Sequence, residues 1–450
     1  MIKYETDSRL IKEGQIFVAI KGHTVDGHDF INDAINKGAS KLIVEHKIES
    51  SIPYEIVPNS EEYLKEKIVE EYSPLLKDLK IIGVTGTNGK TTTCFLIYQL
   101  LKNLNQKVAY LGTIGFFYND VHKILNNTTP DILTLYKLLL EAKENGMEYI
   151  VMEVSSHSIA LERISGLKFK IGAFTNLTQD HLDFHNTMED YLKTKLKLLS
   201  YLTFDGIMIV NDDDSYGKEF ETGNYKTIGQ KGDYKIVNCT YYQDATLIDF
   251  VYEQNNYQVK TNLVSSFNVY NYLMALAILN NLGFSIEDII NETSKIYPPK
   301  GRCETIKVGK NNYAVIDYAH TPDAVEKVIK AHLELDHNRI ITIIGCGGDR
   351  DPKKRPIMGN IATSLSDYVI FTNDNPRTED PKKIMEDIIR DNKSTNFEVI
   401  YDREEAIKKG IKLLTERDFL LLLGKGHEDY QIIGHEKIHF DDAEIVKKYL

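Results

Sequence analysis

The residues in this 450-residue sequence whose types and spacing suit chemistry begin with Gly86-Thr87-Asn88-Gly89-Lys90-Thr91-Thr92. An apolar run over 80–84 leads into these glycines, and an amphipathic run from 91 to about 104 follows them. Strand, glycine turn, Lys-Thr and helix together cradle phosphates. The glycines let backbone N–H groups converge on an anion, and the helix N-terminus adds partial positive charge. Lys90 reaches the outer phosphates, and the Thr91 hydroxyl can ligate Mg²⁺. The loop is shorter than the usual G-x-x-x-x-G-K-[ST]: Val84 stands where the first glycine belongs, and the glycine falls at Gly86. A glycine-rich turn without a ligand is the alternative.

Further polar clusters fall where strands end. Asn126-Asn127-Thr128-Thr129-Pro130-Asp131, Glu153-Val154-Ser155-Ser156-His157 and the stretch 176–183 each follow a strand-like run. Glu153 and His181 are candidate metal ligands, although Mg²⁺ prefers oxygen donors to a histidine. Over 188–202 the helical period puts Met188, Tyr191, Leu192, Leu196, Leu198, Leu199 and Leu202 on one face, with Lys195 near its centre. A buried ammonium is costly unless paired or neutralised, and an amine of lowered pKa could take up CO₂ as a carbamate that binds Mg²⁺. The alternative is a lysine that snorkels from the edge of the face. In the last third, Asp317–Asp323, Gly347–Asp351, Asn373–Arg377 and Gly424–Glu428 carry arginines and a glutamate suited to a zwitterion, with Arg forks on carboxylate and Glu on ammonium.

The elements that position these groups alternate. Strands are expected over 15–20, 41–45, 80–84, 107–111, 149–153 and 204–210, short strands over 225–262, and helices over 30–37, 133–145, 188–202 and 272–282. Two prolines and a glycine at 298–301 suggest a boundary. Beyond it, strands at 313–318, 340–344, 368–372, 398–401 and 419–423 read as a second open α/β sheet. Open α/β sheets bind ligands at strand C-terminal ends, where these clusters lie. The polar loops 6–9 and 22–28 belong to a small α/β unit in front.

Composition narrows the classes. With 54 Lys+Arg against 66 Asp+Glu the net charge is −12, and no long basic block appears, which argues against nucleic acid. Four scattered cysteines form no C-x-x-C pair, as expected of a reduced cytoplasmic protein. The N-terminus lacks the apolar core of a signal peptide, and no apolar run is long enough to span a bilayer.

In order and context, Gly86 to Thr92, Asn127 to Pro130, Glu153 to His157, Asp180 to Asp183, Gly301-Arg302, Asp317 to Pro322, Gly347 to Asp351, Asp374-Asn375-Pro376-Arg377 and Gly424 to Glu428 resemble the motif set of the Mur ligase family, over essentially the whole chain. The resemblance implies three α/β domains: a UDP-binding domain (1–78), a central P-loop-type ATPase sheet domain (79–298) and a Rossmann-like amino-acid-binding domain (299–450). It implies a monomeric cytoplasmic ligase of peptidoglycan precursor synthesis that uses ATP and Mg²⁺. ATP phosphorylates the D-Glu γ-carboxylate of UDP-MurNAc-L-Ala-D-Glu, and an incoming amine attacks the acyl phosphate.

By resemblance, ATP is held by Gly86, Thr87, Asn88, Gly89, Lys90, Thr91 and Thr92, with Asn268 and Asn271 at adenine and Arg302 and Asp317 at phosphate and ribose. The catalytic and metal set is Lys90, Thr91, Glu153, His181 and carbamylated Lys195. Ser8, Asn127, Thr128, Thr129, Ser155 and Arg163 match contacts to the UDP-dipeptide. Arg350, Asp374, Asn375, Pro376, Arg377, Gly424 and Glu428 match those that select meso-diaminopimelate, whose distal carboxylate L-lysine lacks. The same ligation with L-lysine or meso-lanthionine, a folylpolyglutamate synthetase-like ligase and an ATP-driven binding module are the competing expectations. The folylpolyglutamate enzyme shares the ligase core but does not call for the first 78 residues or the Asn-Pro-Arg tetrad.

Overall fold

The computed structural model describes residues 2–22 and 25–450, and of Asp183 only the backbone. His23 and Thr24, in the polar loop expected over 22–28, and the Asp183 side chain lie outside the described residues. The chain forms two compact units, Met1–Thr85 with Gln106–Gly172 and Lys193–Gly206, and Gly86–Asn105 with Ala173–Leu192 and Ile207–Leu450.

In the first unit, β1 (Tyr4–Glu5), β2 (Ile16–Val18), β3 (Lys41–Val44) and β4 (Tyr54–Ile56) form a parallel sheet in chain order. Parallel neighbours need crossovers, and the helix Ile31–Asn36 supplies one, burying Ala34 against Phe17, Leu42 and Val44. Farther on, β5 (Lys80–Thr85), β6 (Val108–Gly112), β7 (Gly115–Tyr118), β8 (Val121–Lys123) and β9 (Tyr149–Glu153) lie side by side in the order β5-β9-β6-β7-β8. The first three in that order are parallel and buried throughout their interiors, hence their unbroken apolar sequences. The helix Ile132–Glu144 is capped by the Asp131 side chain, and its Lys137 pairs with Glu5 at 2.7 Å.

Strands β10 (Phe169–Phe174) and β11 (Leu202–Asn211) contribute residues to both units. In the second unit, β12 (Tyr225–Gly229) and β13 (Tyr234–Tyr241) continue from β11 in parallel, and β14 (Thr246–Tyr252) and β15 (Asn255–Thr261) follow as antiparallel neighbours. The helix Lys90–Asn103, buried from Thr91 to Leu101, packs on the helix Ser266–Asn281. Next come β16 (Glu304–Val308), β17 (Asn312–Asp317), β18 (Ile340–Ile344), β19 (Tyr368–Phe371), β20 (Phe397–Val399) and β21 (Phe419–Leu423), in the order β16-β17-β21-β18-β19-β20. All but β16 are parallel, so Asp317 and the loops after β18, β19 and β21 emerge at one edge, where the chain order reverses. An antiparallel ribbon, β22 (Tyr430–Ile433) and β23 (Glu436–His439), follows. No helix among the described residues is long and apolar enough to cross a membrane.

One expected element is corrected. The helix expected over 188–202 stops at Leu196; a 3₁₀ turn, Lys197–Tyr201, tightens the chain, and β11 starts at Leu202. Leucine repeats fit helix and buried strand alike, and here the run passes from one into the other. The burial at i, i+4 and i+7 of Tyr191, Lys195 and Leu198 follows the expected face, with Lys195 1% exposed, so it does not snorkel.

Behind β21, the Arg403 guanidinium forks onto Asp442 at 2.8 and 2.7 Å and donates to the Leu423 carbonyl at 3.2 Å, with both side chains fully buried. Removing one partner of such a pair strands the other charge, whereas removing both costs far less. We expect Asp442→Ala to destabilise the C-terminal sheet by about 3–5 kcal/mol, and Arg403→Met with Asp442→Leu to recover most of that. Urea unfolding of the three proteins checks it; equal losses for single and double variants would contradict it.

Candidate functional site

In the first unit, β9 delivers Glu153 to its C-terminal end as a fully buried carboxylate. The Tyr110 hydroxyl donates to its Oε1 at 2.6 Å, the Thr113 amide donates to the same oxygen at 2.8 Å, and the Thr113 hydroxyl donates to Oε2 at 3.1 Å. Donors converging on a buried carboxylate compensate its lost hydration. Gly112 makes room, since a Cβ there would lie 2.3 Å from Oε1 and 2.5 Å from the Tyr110 hydroxyl. Thr128 meets the Thr113 hydroxyl at 3.0 Å, and buried Thr129 donates to the Glu153 carbonyl at 2.8 Å. Arg163 donates to the Thr129 carbonyl at 2.8 Å, and the Ser155 hydroxyl caps the helix Ser156–Ala160. Asn127 is exposed beside them. Ser8 is buried in a turn that Asp7 caps, away from this cluster in sequence but within the same unit.

In the second unit, the phosphate loop turns through Gly86 (φ +146°) and Gly89 (φ +84°) into the helix Lys90–Asn103. Neighbouring polar groups hold its shape. The Thr87 amide donates to the Asn176 carbonyl at 2.8 Å and the Asn88 amide to Asn176 Oδ1 at 2.9 Å, while Thr175 Oγ1 donates to the Asn88 carbonyl at 2.6 Å. A side chain at Gly86 would strike Thr175 Oγ1 at 1.9 Å, and one at Gly89 would strike Asn271 Oδ1 at 2.4 Å. The Lys90 ammonium lies over the loop, 2.8 Å from the carbonyls of both Gly86 and Thr87. Thr91 and Thr92 are buried in the first helical turn, whose amides by construction lack intrahelical acceptors. Asn271 donates to Asn268 at 2.9 Å and accepts from Thr93 at 3.3 Å, and Asn268 donates to the Val264 carbonyl at 2.7 Å. These two asparagines are buried beneath the loop and support it. His181 heads the helix Leu182–His185 with φ +54° and has a half-exposed side chain near Asp180.

Asn88 Nδ2 at 3.3 Å and Thr178 Oγ1 at 3.1 Å both donate to Asp323, at the start of the helix Pro322–Leu333. Arg302 stacks on Tyr318, 4.8 Å from the ring centre, and the buried Asp317 accepts from the Cys303 amide at 2.8 Å. Burial holds Asp317 above the usual carboxylate range against the pull of Arg302.

At the edge of the last sheet, Arg350 and Arg377 flank Gly347, where a Cβ would lie 2.9 Å from Arg377 Nη1 and 3.9 Å from Arg350 Cγ. Arg377 has φ +51°, an uncommon conformation for a non-glycine residue that its neighbours enforce. Its amide donates to the Ile432 carbonyl at 3.0 Å, its carbonyl accepts from Gly434 at 2.8 Å, and Nη1 donates to the Gly348 carbonyl at 2.7 Å. The Pro376 carbonyl lies where a Cβ on Gly348 would sit, and Gly424 (φ +109°) leaves room for the buried Asp374. Asn375 donates to Glu428 Oε2 at 2.7 Å. Burial, then Asp374, pushes Glu428 above the ordinary carboxylate range.

The sequence-expected residues thus form clusters within each unit. Tyr110, Gly112, Thr113 and Thr175, which hold those residues, were not expected as part of the site; Asn176, Thr178 and Asp323 fall in the polar stretches expected at strand ends but were given no role of their own. Their signal is placement at strand ends, which many solvated loops share.

Models of the "Mur ligase family, catalytic domain", the "Mur ligase middle domain" and the "Mur ligase, glutamate ligase domain" match residues 4–79, 84–279 and 301–426. A UDP-N-acetylmuramoyl-L-alanyl-D-glutamate–2,6-diaminopimelate ligase of Clostridium acetobutylicum is 42% identical over 99% of this chain and 93% of its own. The chain belongs to the Mur ligase family. The like-named protein of Fusobacterium nucleatum is also 42% identical over 99% of this Mur ligase and 93% of its own length. A solved structure titled as the same ligase superposes with a TM-score of 0.69 at 31% identity, over 99% of this chain and 94% of that one. The three-domain α/β architecture of the Mur ligase family therefore holds for this chain.

The packing at Gly112 generates a test. Gly112→Ala demands no unusual φ but drives a methyl group into Glu153 and Tyr110. We expect a folded protein, destabilised by about 1–3 kcal/mol, whose ligation rate falls roughly a hundredfold, as for a misplaced active group. Thermal melting with a turnover assay checks it; near-wild-type turnover would show that the Glu153 cage has no part in the reaction.

Proposed function

We propose that this Mur ligase joins meso-2,6-diaminopimelate to the D-Glu γ-carboxylate of UDP-MurNAc-L-Ala-D-Glu, in the cytoplasm and as a monomer, with ATP consumed through an acyl phosphate. The observation that carries this reading is the edge of the last sheet, where Arg350 and Arg377 flank Gly347 while Asn375 and Glu428 are hydrogen-bonded together nearby. Guanidinium forks suit the distal carboxylate, and Glu428 suits the ammonium beside it. A ligand with an ammonium alone would leave the arginines unpaired. The domain division proposed is UDP-substrate binding in 1–78, ATP in 79–298 and amino acid in 299–450.

Lys90 and the first-turn amides of its helix would hold the outer phosphates of ATP, Arg302 and Asp317 the sugar-phosphate end, and Asn268 and Asn271 the shape of the loop and the adenine side. Ser8, Asn127, Thr128, Thr129, Ser155 and Arg163 would meet the UDP-dipeptide. The Thr91 hydroxyl and the Glu153 carboxylate are each hard oxygen donors of the kind Mg²⁺ takes, and His181 and a carbamate on Lys195 are the further metal ligands proposed. When bound, Mg²⁺ would neutralise charge between two anions brought together. Lys90 adds a further fixed cation where negative charge gathers.

The burial of Lys195 within an otherwise apolar face supports the carbamate. Lys195→Ala should be nearly inactive and partly rescued by short carboxylates, measured as ligation with and without added acetate or formate. Intact-mass or crystallographic analysis of active, CO₂-equilibrated enzyme that finds only unmodified lysine would remove the carbamate. Amino-acid choice is tested separately. A charge-assisted contact contributes about 1.5–3 kcal/mol, so Arg377→Ala should lower diaminopimelate use roughly tenfold to a hundredfold. The loss should appear in KM for the amino acid, with the KM for ATP little changed. A wild-type enzyme that ligates L-lysine equally well, or a variant that keeps full preference, would contradict the assignment.

A further inference from the structure

Lys425 has no part in the function described so far, yet its side chain is fully buried. Its ammonium donates to the Tyr430 carbonyl and lies 3.5 Å from both Glu428 Oε2 and Asn375 Oδ1. Asn375 Oδ1 also accepts from the Ile432 amide at 2.9 Å, and Asn375 Nδ2 donates to Glu428 Oε2 at 2.7 Å. The amide is thereby oriented from both ends: its oxygen faces two donors and its nitrogen faces the carboxylate. The Tyr430 hydroxyl donates to the other oxygen of Glu428 at 3.3 Å.

The charged and titratable groups that face Glu428 come from every element around it. Asp374 follows β19, Lys425 shares its loop, Tyr430 lies on β22, Tyr318 follows β17, and Arg403 opens the helix Arg403–Leu413. Burial and Asp374 favour the neutral acid, whereas Lys425 and the Asn375 amide favour the anion. We infer that Lys425 is a positioning residue for amino-acid selection, whose buried ammonium, set against Glu428 and Asn375, favours the Glu428 anion and holds the Asn375 amide oriented so that the carboxylate meets the ammonium of the incoming amino acid. This rests on the reading that the pocket takes the diamino acid.

Without Lys425, Glu428 takes up a proton at higher pH. Attraction for an ammonium, present above the Glu428 pKa, is then lost as pH falls through that raised value. Steady-state ligation with ATP, UDP-MurNAc-L-Ala-D-Glu and meso-diaminopimelate between about pH 6 and about pH 9 reads this directly, since a shift of one pKa unit is about tenfold in ionisation. For the wild type, KM for diaminopimelate should vary by less than about twofold. For Lys425→Met and the polar, uncharged Lys425→Gln it should be at least about tenfold higher at the acid end than at the alkaline end, while kcat at saturation moves by less than about threefold. Glu428→Gln combined with Lys425→Met should give a raised but pH-independent KM. Flat profiles in the single variants would overturn the inference, as would a wild-type KM that rises on acidification, a measurement that stands even where the variants do not fold. A wild-type enzyme that ligates no diaminopimelate at any pH would defeat the underlying reading of the pocket instead.

Discussion

The phosphate loop keeps its form because other parts of the protein consume the polar groups that would collapse it. Asn176 accepts the Thr87 and Asn88 amides on its carbonyl and side-chain oxygens, and Thr175 closes on the Asn88 carbonyl. Asn271 presses against Gly89 from beneath. The loop departs from the usual glycine spacing, yet its two glycines fall where positive φ and close approach leave no room for a side chain. Asp323 extends the frame by accepting from both Asn88 and Thr178. One carboxylate thus ties the loop to a helix that flanks the last sheet.

A second constraint governs the charged groups. Glu153, Asp317 and Lys425 are all buried, and each is viable because neighbours meet its hydrogen-bonding needs. Tyr110 and Thr113 do this for Glu153, the Cys303 amide for Asp317, and the Tyr430 carbonyl with Asn375 for Lys425. Hydrogen bonds of this kind fix the orientation of a charged group, the condition under which fixed charges act most strongly.

Much of this was legible in the sequence, for a physical reason. Parallel strands buried on both faces are uninterrupted apolar runs, so β9, β18 and β21 were placed at their observed limits, and the polar clusters after them marked the working edge. Lys195 stood out as a charge near the centre of an apolar face, where the pattern alone favours a snorkelling lysine and the family resemblance favours a carbamate. The helix Ser60–Tyr72 was missed although Asn59 and Glu62 carry the capping signal at its start, and Asn59 does accept from the Glu62 amide at 2.9 Å. Supporting residues were less legible still. Asn268 and Asn271 brace the phosphate loop from beneath, a role that two amides in a helical sequence do not advertise. Nothing in the type or spacing of Gly112 announces that a carboxylate occupies the volume its side chain would need.

The backbone of Arg377 limits how this pocket can change over evolutionary time. With φ at +51° and both its amide and carbonyl pinned to the ribbon after Glu428, the position admits only residues that tolerate a left-handed turn. Asparagine or glycine can occupy it at little cost, and alanine at a modest one. Valine, isoleucine and threonine are branched at Cβ and would open the turn before their lack of charge mattered. Few single-residue steps are thus available here that alter charge and keep the loop closed. The residue at this position is guarded by conformation as well as by charge.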